Sequence, residues 1–340
     1  MKSVVTFGEL MLKLSPLGYG RFVQSGQFNV EYSGAEANVA VSLCNFGIPV
    51  RFVTALPKHE LGDAAVNTIR RFGVDTTFIA RSDKRLGIYF AEKGASQRPS
   101  KVIYDRADTA IANARPADFD WDAIFEGVEW FHFSGITPAL SDGLANICLE
   151  ACRTAKAKGV TISCDLNYRK KLWSRERAKE VMTELSQYVD VCIANEEDAS
   201  DVFGITAENT EINSGMIDSQ SYTSVARQLQ QRFNFQKVAI TLRESISASD
   251  NNWSAILFDG RQIYTSRKYS IHIVDRIGGG DSFGAGLIYG LNQYGDCQKA
   301  LEFAVAASCL KQTIEGDFNL VSKTEVDNLM NGNISGRIQR

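Results

Sequence analysis

The sequence predicts an α/β protein, with a mostly parallel central sheet covered by helices on both faces and a small β-sheet lid. Three observations predict it. Short apolar strand-like runs alternate with helical stretches through most of the 340 residues, the pattern of βαβ units. Two segments, about 12–32 and 85–107, interrupt that alternation with short β-like runs and no crossover helix. A glycine turn, Gly278-Gly279-Gly280-Asp281, joins a strand-like run to a helical one.

In chain order, Val4 to Glu9 reads as a buried first strand ending in Gly8-Glu9. Residues 10–32 then form short strands with polar faces around a Pro-Leu-Gly-Tyr-Gly turn. A helix from Ala37 to Phe46 stops at Gly47, with Pro49 beyond. Strand 50–55, helix 62–72 and strand 74–79 follow. Runs 86–92 and 101–106 supply the second part of the lid. From about 118 the alternation is regular: helix 120–126, strand 130–134, helix 141–158, strand 160–165, helix 175–187, strand 191–194 and a helix opened by Asn195 to Asp198. The polar stretch 207–221 reads as an insertion with no assigned role. Helix 222–233 leads to strand 237–242. Runs 253–258 and 261–269 form a hairpin turning at Asp259-Gly260. Run 269–275 alternates like a further strand before the glycine turn. After the turn come helix 282–291, a helix from Cys297 to about Lys311, the loop Glu315-Gly316-Asp317 and a last helix at 322–331. The expectation is one domain over 1–335, with 336–340 as a tail.

Composition narrows the function. Hydrophobic residues make up 44%, enough for a full core, and the net charge is −3. That balance argues against a nucleic-acid or membrane-surface protein. Seven scattered cysteines without a C-x-x-C pair, and only three histidines, argue against a disulfide framework or a zinc site. The first residues lack a signal-peptide core and no window reaches membrane-span length, so a cytoplasmic protein is expected. The chain has no P-loop, no G-x-G-x-x-G at its first strand, no nucleophile elbow and no H-E-x-x-H.

Ligands of open parallel sheets sit beyond the carboxyl ends of the strands. Polar groups follow five of the expected strands: Glu9; Asp165, Asn167 and Arg169; Asn195 and Asp198; Thr241 and Arg243; and the loop 278–281. Each has a plain alternative, such as a helix cap for Asn195, a turn starter for Asp165 or a satisfied sheet residue for Thr241. The glycines let a ligand approach the main chain, and the helix start behind them favours an anion. A carboxylate at 281 would repel a phosphate unless it faces a hydroxyl that must lose its proton. A simple helix cap is the other reading. Arg106, Arg169, Lys170 and Lys171 lie in loops or strands, where the arginines suit recognition of a carboxylate or phosphate. Tyr89 and Tyr104 fall in the lid, within reach of a sugar-like ligand or simply as β-formers.

These motifs resemble the ribokinase-like, PfkB-type carbohydrate kinases over essentially the whole length. The family's G-G-x-x-x-N appears as Ser33-Gly34-Ala35-Glu36-Ala37-Asn38, with Ser for the first Gly. Its D-T-x-G-A-G-D appears as Asp275-Arg-Ile-Gly-Gly-Gly-Asp281, and its N-x-x-E as Asn195-Glu-Glu-Asp198. Glycines usual after the strand ending Thr241-Leu242 are replaced by Arg243-Glu-Ser-Ile-Ser. Within the family, Gly34 to Asn38, Ser134 to Leu140, Tyr104-x-Arg106 and Asp165 to Trp173 are similar to 2-keto-3-deoxygluconate kinases. The resemblance implies a three-layer ribokinase-like fold and phosphorylation of a sugar acid by ATP. It implies Asp281 as base, with Gly278, Gly279 and Gly280 donating N–H groups to the transferring phosphoryl group. Gly34, Ala35, Asn38, Tyr89, Tyr104, Arg106, Arg169, Asp281 and Asp317 would hold the sugar. Asn167, Arg169, Asn195, Thr241, Arg243, Gly278 and Gly280 would meet the nucleotide. Mg²⁺ would be held through water by Asn195, Glu197 and Asp198, and K⁺ is a further candidate cofactor. A homodimer or larger homo-oligomer through the lid is expected, because an exposed sheet edge invites pairing. The alternatives are a kinase for 2-keto-3-deoxygalactonate or fructose, and a non-catalytic sugar-binding relative.

Overall fold

The computed structural model describes residues 3–195, 197–206 and 219–333. Most of the polar stretch 207–221 and the tail 336–340 lie outside the described residues. The strands are β1 Ser3–Phe7, β2 Met11–Pro16, β3 Phe28–Ser33, β4 Val50–Pro57, β5 Ile79–Ser82, β6 Gly87–Glu92 and β7 Lys101–Asp105. They continue with β8 Val128–Ser134, β9 Thr161–Asp165, β10 Val191–Ala194, β11 Lys237–Ser245, β12 Asp250–Phe258, β13 Ile263–Thr265 and β14 Tyr269–His272. The helices are α1 Ala35–Asn45, α2 Glu60–Arg70, α3 Trp121–Ile124, α4 Ile136–Ala139, α5 Asp142–Ala157 and α6 Arg175–Ser186. After them come α7 Asp198–Phe203, α8 Ser219–Phe233, α9 Gly279–Gln293, α10 Cys297–Lys311 and α11 Lys323–Met330.

A ten-stranded sheet runs in the order β13-β12-β11-β10-β9-β8-β1-β4-β5, with β14 also paired to β12. It is parallel from β11 through β5 and antiparallel around β12. The strands feed two apolar layers because successive side chains point to opposite faces. Val5, Phe7, Phe131, Phe133, Cys192 and Ala194 join one core with α5, α6 and α8. Val4, Trp130, Val191 and Ile193 join the other with α1, α2, α9 and α10. The lid is a separate four-stranded sheet, β3-β2-β6-β7, built from the two segments that break the alternation.

Helix α4 has no expected counterpart, β11 and β12 extend to Ser245 and from Asp250, and two further elements differ for a local reason. The strand expected at 74–79 begins only at Ile79, because the Asp75 carboxylate accepts from both the N–H and the hydroxyl of Thr77 and bends the chain. The second arm expected at 261–269 is split. The Ser266 hydroxyl accepts the Ala255 N–H at 2.9 Å, and the chain then leaves β12 before rejoining it at Tyr269. The C-terminal ends of β1, β9, β10 and β11 face the lid side of the sheet, where the cavity described next opens.

Candidate active site

A cavity of about 520 Å³ lies between the strand ends and the lid, partly open to solvent. It collects Gly34, Ala35, Asn38, Tyr89, Tyr104, Arg106, Asn167, Arg169, Asn195, Glu197, Asp198, Thr241, Arg243, Gly278, Gly280, Asp281 and Asp317 on one wall or another. Gly279 is the one expected site residue that does not line it. Its N–H donates to the Arg276 carbonyl at 3.3 Å, so that donor is spent inside the loop. The N–H groups of Gly278, Gly280 and Asp281 have no acceptor among the described residues.

Gly278 has φ +81°, and a Cβ there would stand 2.0 Å from the Asp317 carbonyl oxygen. The position therefore needs glycine both for its left-handed backbone and for space. Asp281 is the third residue of α9, partly buried against α1, where Asn38 Nδ2 donates to its Oδ2 at 2.7 Å. Burial raises its pKa to about 6; the Asn38 bond, Arg169 and Lys311 pull the other way, and the Asp317 charge adds to the rise. A carboxylate with that value is poised to accept a proton near neutrality. Asn38 Oδ1 is buried without a partner.

Arg169 is partly buried and makes no ion pair with a carboxylate among the described residues; its Nη1 donates to the Tyr168 carbonyl at 3.0 Å. Arg106 differs. It forms a buried ion pair with Glu9, stacks at 5.0 Å over the Tyr104 ring, and is therefore already compensated. Asp317 likewise has partners before any ligand arrives. Lys13 of β2, Ser33 of β3 and Tyr89 of β6 all donate to its carboxylate. Burial pushes its pKa up, but the Lys13 ammonium and the two hydroxyls outweigh that and hold it below the usual carboxylate range. Three lid strands are thus tied to one acid of the main body. Ser33, where the resembled motif has glycine, is one of the ties.

Asp165, Asn167, Asn195, Glu197 and Asp198 also line the cavity. Asn195 Oδ1 caps α7 by accepting from Glu197 and Asp198 N–H at 2.7 and 2.9 Å. The Asp198 carboxylate returns to the N–H groups of Asn195 and Tyr168 at 2.9 and 3.0 Å. Burial and the Asp198 and Asp281 charges push Asp165 well above the usual carboxylate value. Like charges held together at a cavity wall are relieved by a cation. Among the described residues no three acidic, histidine or cysteine side chains converge as a direct metal site. Asn195, Glu197 and Asp198 could hold Mg²⁺ only through water, a mode in which Mg²⁺ keeps most of its waters. Asn167 has φ +39°, a backbone strain tolerated by asparagine and common at ligand sites.

Four residues of this region were not among the expected site residues: Lys13, Ser33, Glu36 and Lys311. Glu36 accepts from the Ser134 N–H and hydroxyl and from Thr137, and burial raises its pKa to about 7. Lys13 reads in sequence as the polar face of a strand. Lys311 reads in sequence as an ordinary basic residue in the last turn of a helix.

Residues 1–322 match the family model described as pfkB family carbohydrate kinase. A solved 2-dehydro-3-deoxygluconokinase of Thermotoga maritima is 52% identical, with TM-score 0.94, covering 97% of this chain and 98% of its own. The 2-dehydro-3-deoxygalactonokinase of Haloferax volcanii is 33% identical over 98% of both chains. An E. coli ribokinase II candidate solved in complex with ATP and Mg²⁺ shares the fold at TM-score 0.80, with 19% identity over 97% of this chain and 99% of its own. The architecture is ribokinase-like α/β. No helix among the described residues is long and apolar enough to cross a membrane.

Proposed function

We propose that this chain, which belongs to the pfkB family of carbohydrate kinases, transfers the γ-phosphoryl group of ATP to 2-keto-3-deoxy-D-gluconate, giving its 6-phospho form. One observation carries the reading. A partly buried carboxylate, Asp281, shares a cavity with unpaired loop N–H groups and with Arg169, which makes no ion pair among the described residues. The names of the relatives from T. maritima and H. volcanii point to the same class of acceptor.

In the proposed reaction the sugar carboxylate meets Arg169, and Asn38 Oδ1 accepts a sugar hydroxyl. Asp281 takes the proton of the attacking primary hydroxyl as its oxygen bonds to the γ-phosphorus and the bond to ADP breaks. The N–H groups of Gly278 and Gly280, at the positive end of α9, receive the charge on the transferring group. Asp165, Asn195, Glu197 and Asp198 would hold Mg²⁺ through water, where it would neutralise phosphate charge. The lid, tied down through Asp317, excludes water so that ATP is not hydrolysed. A neutral sugar would leave Arg169 without its anion.

The test is ADP release from Mg²⁺ATP with 2-keto-3-deoxygluconate, its galactonate epimer, fructose and ribose. Release with fructose but not with the acids removes the sugar-acid reading. Preference for the galactonate epimer selects the second reading, which the name of the H. volcanii relative favours. No release with any acceptor leaves a non-catalytic binder. The lid exposes Val23, Val30 and Ile103, and we propose that a second copy covers them. A monomeric mass by light scattering would remove that part.

A further inference from the structure

Lys311 closes α10 with its side chain wholly buried. Its ammonium donates to two main-chain carbonyls of the loop before the glycines, Asp275 at 3.1 Å and Ile277. No step described above uses it. Burying an ammonium against neutral carbonyls is costly, and an apolar residue would pack there at no such cost. The carbonyls themselves give the reason. In a trans peptide the C=O and the following N–H point opposite ways. With the Ile277 carbonyl held on Lys311, the Gly278 N–H is turned away from Lys311, and Gly278 lines the cavity. Main-chain carbonyls converging on one point are the donors that replace the water shell of a monovalent cation. Here a side-chain ammonium fills that point; burial and the Lys13 charge lower its pKa below the ordinary lysine value, and the Asp275, Asp317 and Asp281 charges oppose that fall.

We propose that Lys311 is a positioning residue, a built-in cation that holds the Gly278 N–H toward the transferring phosphoryl group and makes turnover independent of dissolved monovalent cations. The inference rests on the kinase reading and goes beyond it. It also sets aside K⁺ as a cofactor of this chain.

The full-length protein is assayed with Mg²⁺ATP and the sugar acid in K⁺, Na⁺ or tetramethylammonium salts at equal ionic strength. Rates within about twofold of one another are expected. Stimulation by K⁺ of about tenfold or more overturns the proposal. Lys311→Ala should lose about 100-fold in kcat with little change in sugar KM. K⁺ or ethylammonium should restore much of that loss, and tetramethylammonium should not. A loss that no small cation restores is what packing alone would give, and it overturns the proposal. Melting temperatures in the same salts need no turnover. The wild type should be indifferent to K⁺, whereas Lys311→Ala should be stabilised by it; K⁺ stabilisation of the wild type overturns the proposal. If turnover fails with every acceptor, the kinase reading falls, and the melting series still decides the role of Lys311. If the variant does not fold, the wild-type salt series decides.

Discussion

Asn38 and Asp281 are 243 residues apart, yet Asn38 Nδ2 donates to Asp281 Oδ2 at 2.7 Å. The bond joins the first turn of α1 to the first turn of α9. It fixes a carboxylate that lines the cavity beside the glycine loop.

The first prediction is a pH profile. Asp281 must be ionised to accept a proton, and burial raises its pKa to about 6. The kcat/KM for the sugar acid should therefore fall below about pH 6 and be flat from there to pH 8. Activity undiminished at pH 4.5 would rule Asp281 out as the base.

Asp281→Asn should lower kcat by about 10³-fold while ATP binding remains measurable by calorimetry. It should also stabilise the fold in a pH-dependent way. The folded value, about 6, lies above the ordinary 3.8, so ionised Asp281 costs on the order of 3 kcal/mol in the native state. The stability contributed by the protonated form is complete below the ordinary value and is lost as the pH rises through about 6. Asp281→Asn should thus melt above the wild type at pH 8, and the difference should close toward pH 4. A constant difference across that range contradicts the assignment.

Arg169→Ala should raise KM for the sugar acid by about tenfold or more, because no carboxylate among the described residues is paired with this arginine. KM for a neutral sugar should move little. An equal effect on both means that Arg169 does not read the carboxylate. Arg106→Ala is expected to act differently, leaving Glu9 buried without its partner, so its main signature is a lower melting temperature.

Lys13→Met should cost about 3 kcal/mol in a denaturant titration, because it strands the buried Asp317 carboxylate between Ser33 and Tyr89. Sugar KM should rise as well, since the lid loses a tie to the main body. An unchanged midpoint would show that the Lys13–Asp317 pair carries no stability.

Gly278→Ala places a Cβ 2.0 Å from the Asp317 carbonyl oxygen at φ +81°. Loss of at least about 2 kcal/mol is expected, together with a kcat loss larger than that of Gly280→Ala, where a Cβ meets open space. Equal kcat losses would show that Gly278 has no special place in the loop.

What the sequence by itself determined is whatever local pattern encodes. Period-two apolar runs alternating with helical ones specify parallel strands covered on both faces, and the glycines before Asp281 mark a turn that leads into a helix. Breaks in that alternation at 12–32 and 85–107 set the lid apart. Even local reading failed where a side chain competes with the backbone, as Asp75 and Ser266 do. Only the tertiary structure decided how the charges are spent. Lys13 and Asp317 are 304 positions apart, and Glu9 and Arg106 are 97 apart. Their meeting ties the lid to Asp317 and leaves Arg169 without a carboxylate partner among the described residues. A charged side chain in a sequence shows its sign and not its partner. In a buried site the partner decides whether that charge is structural or available, because an ion out of water must be compensated by whatever the fold brings beside it.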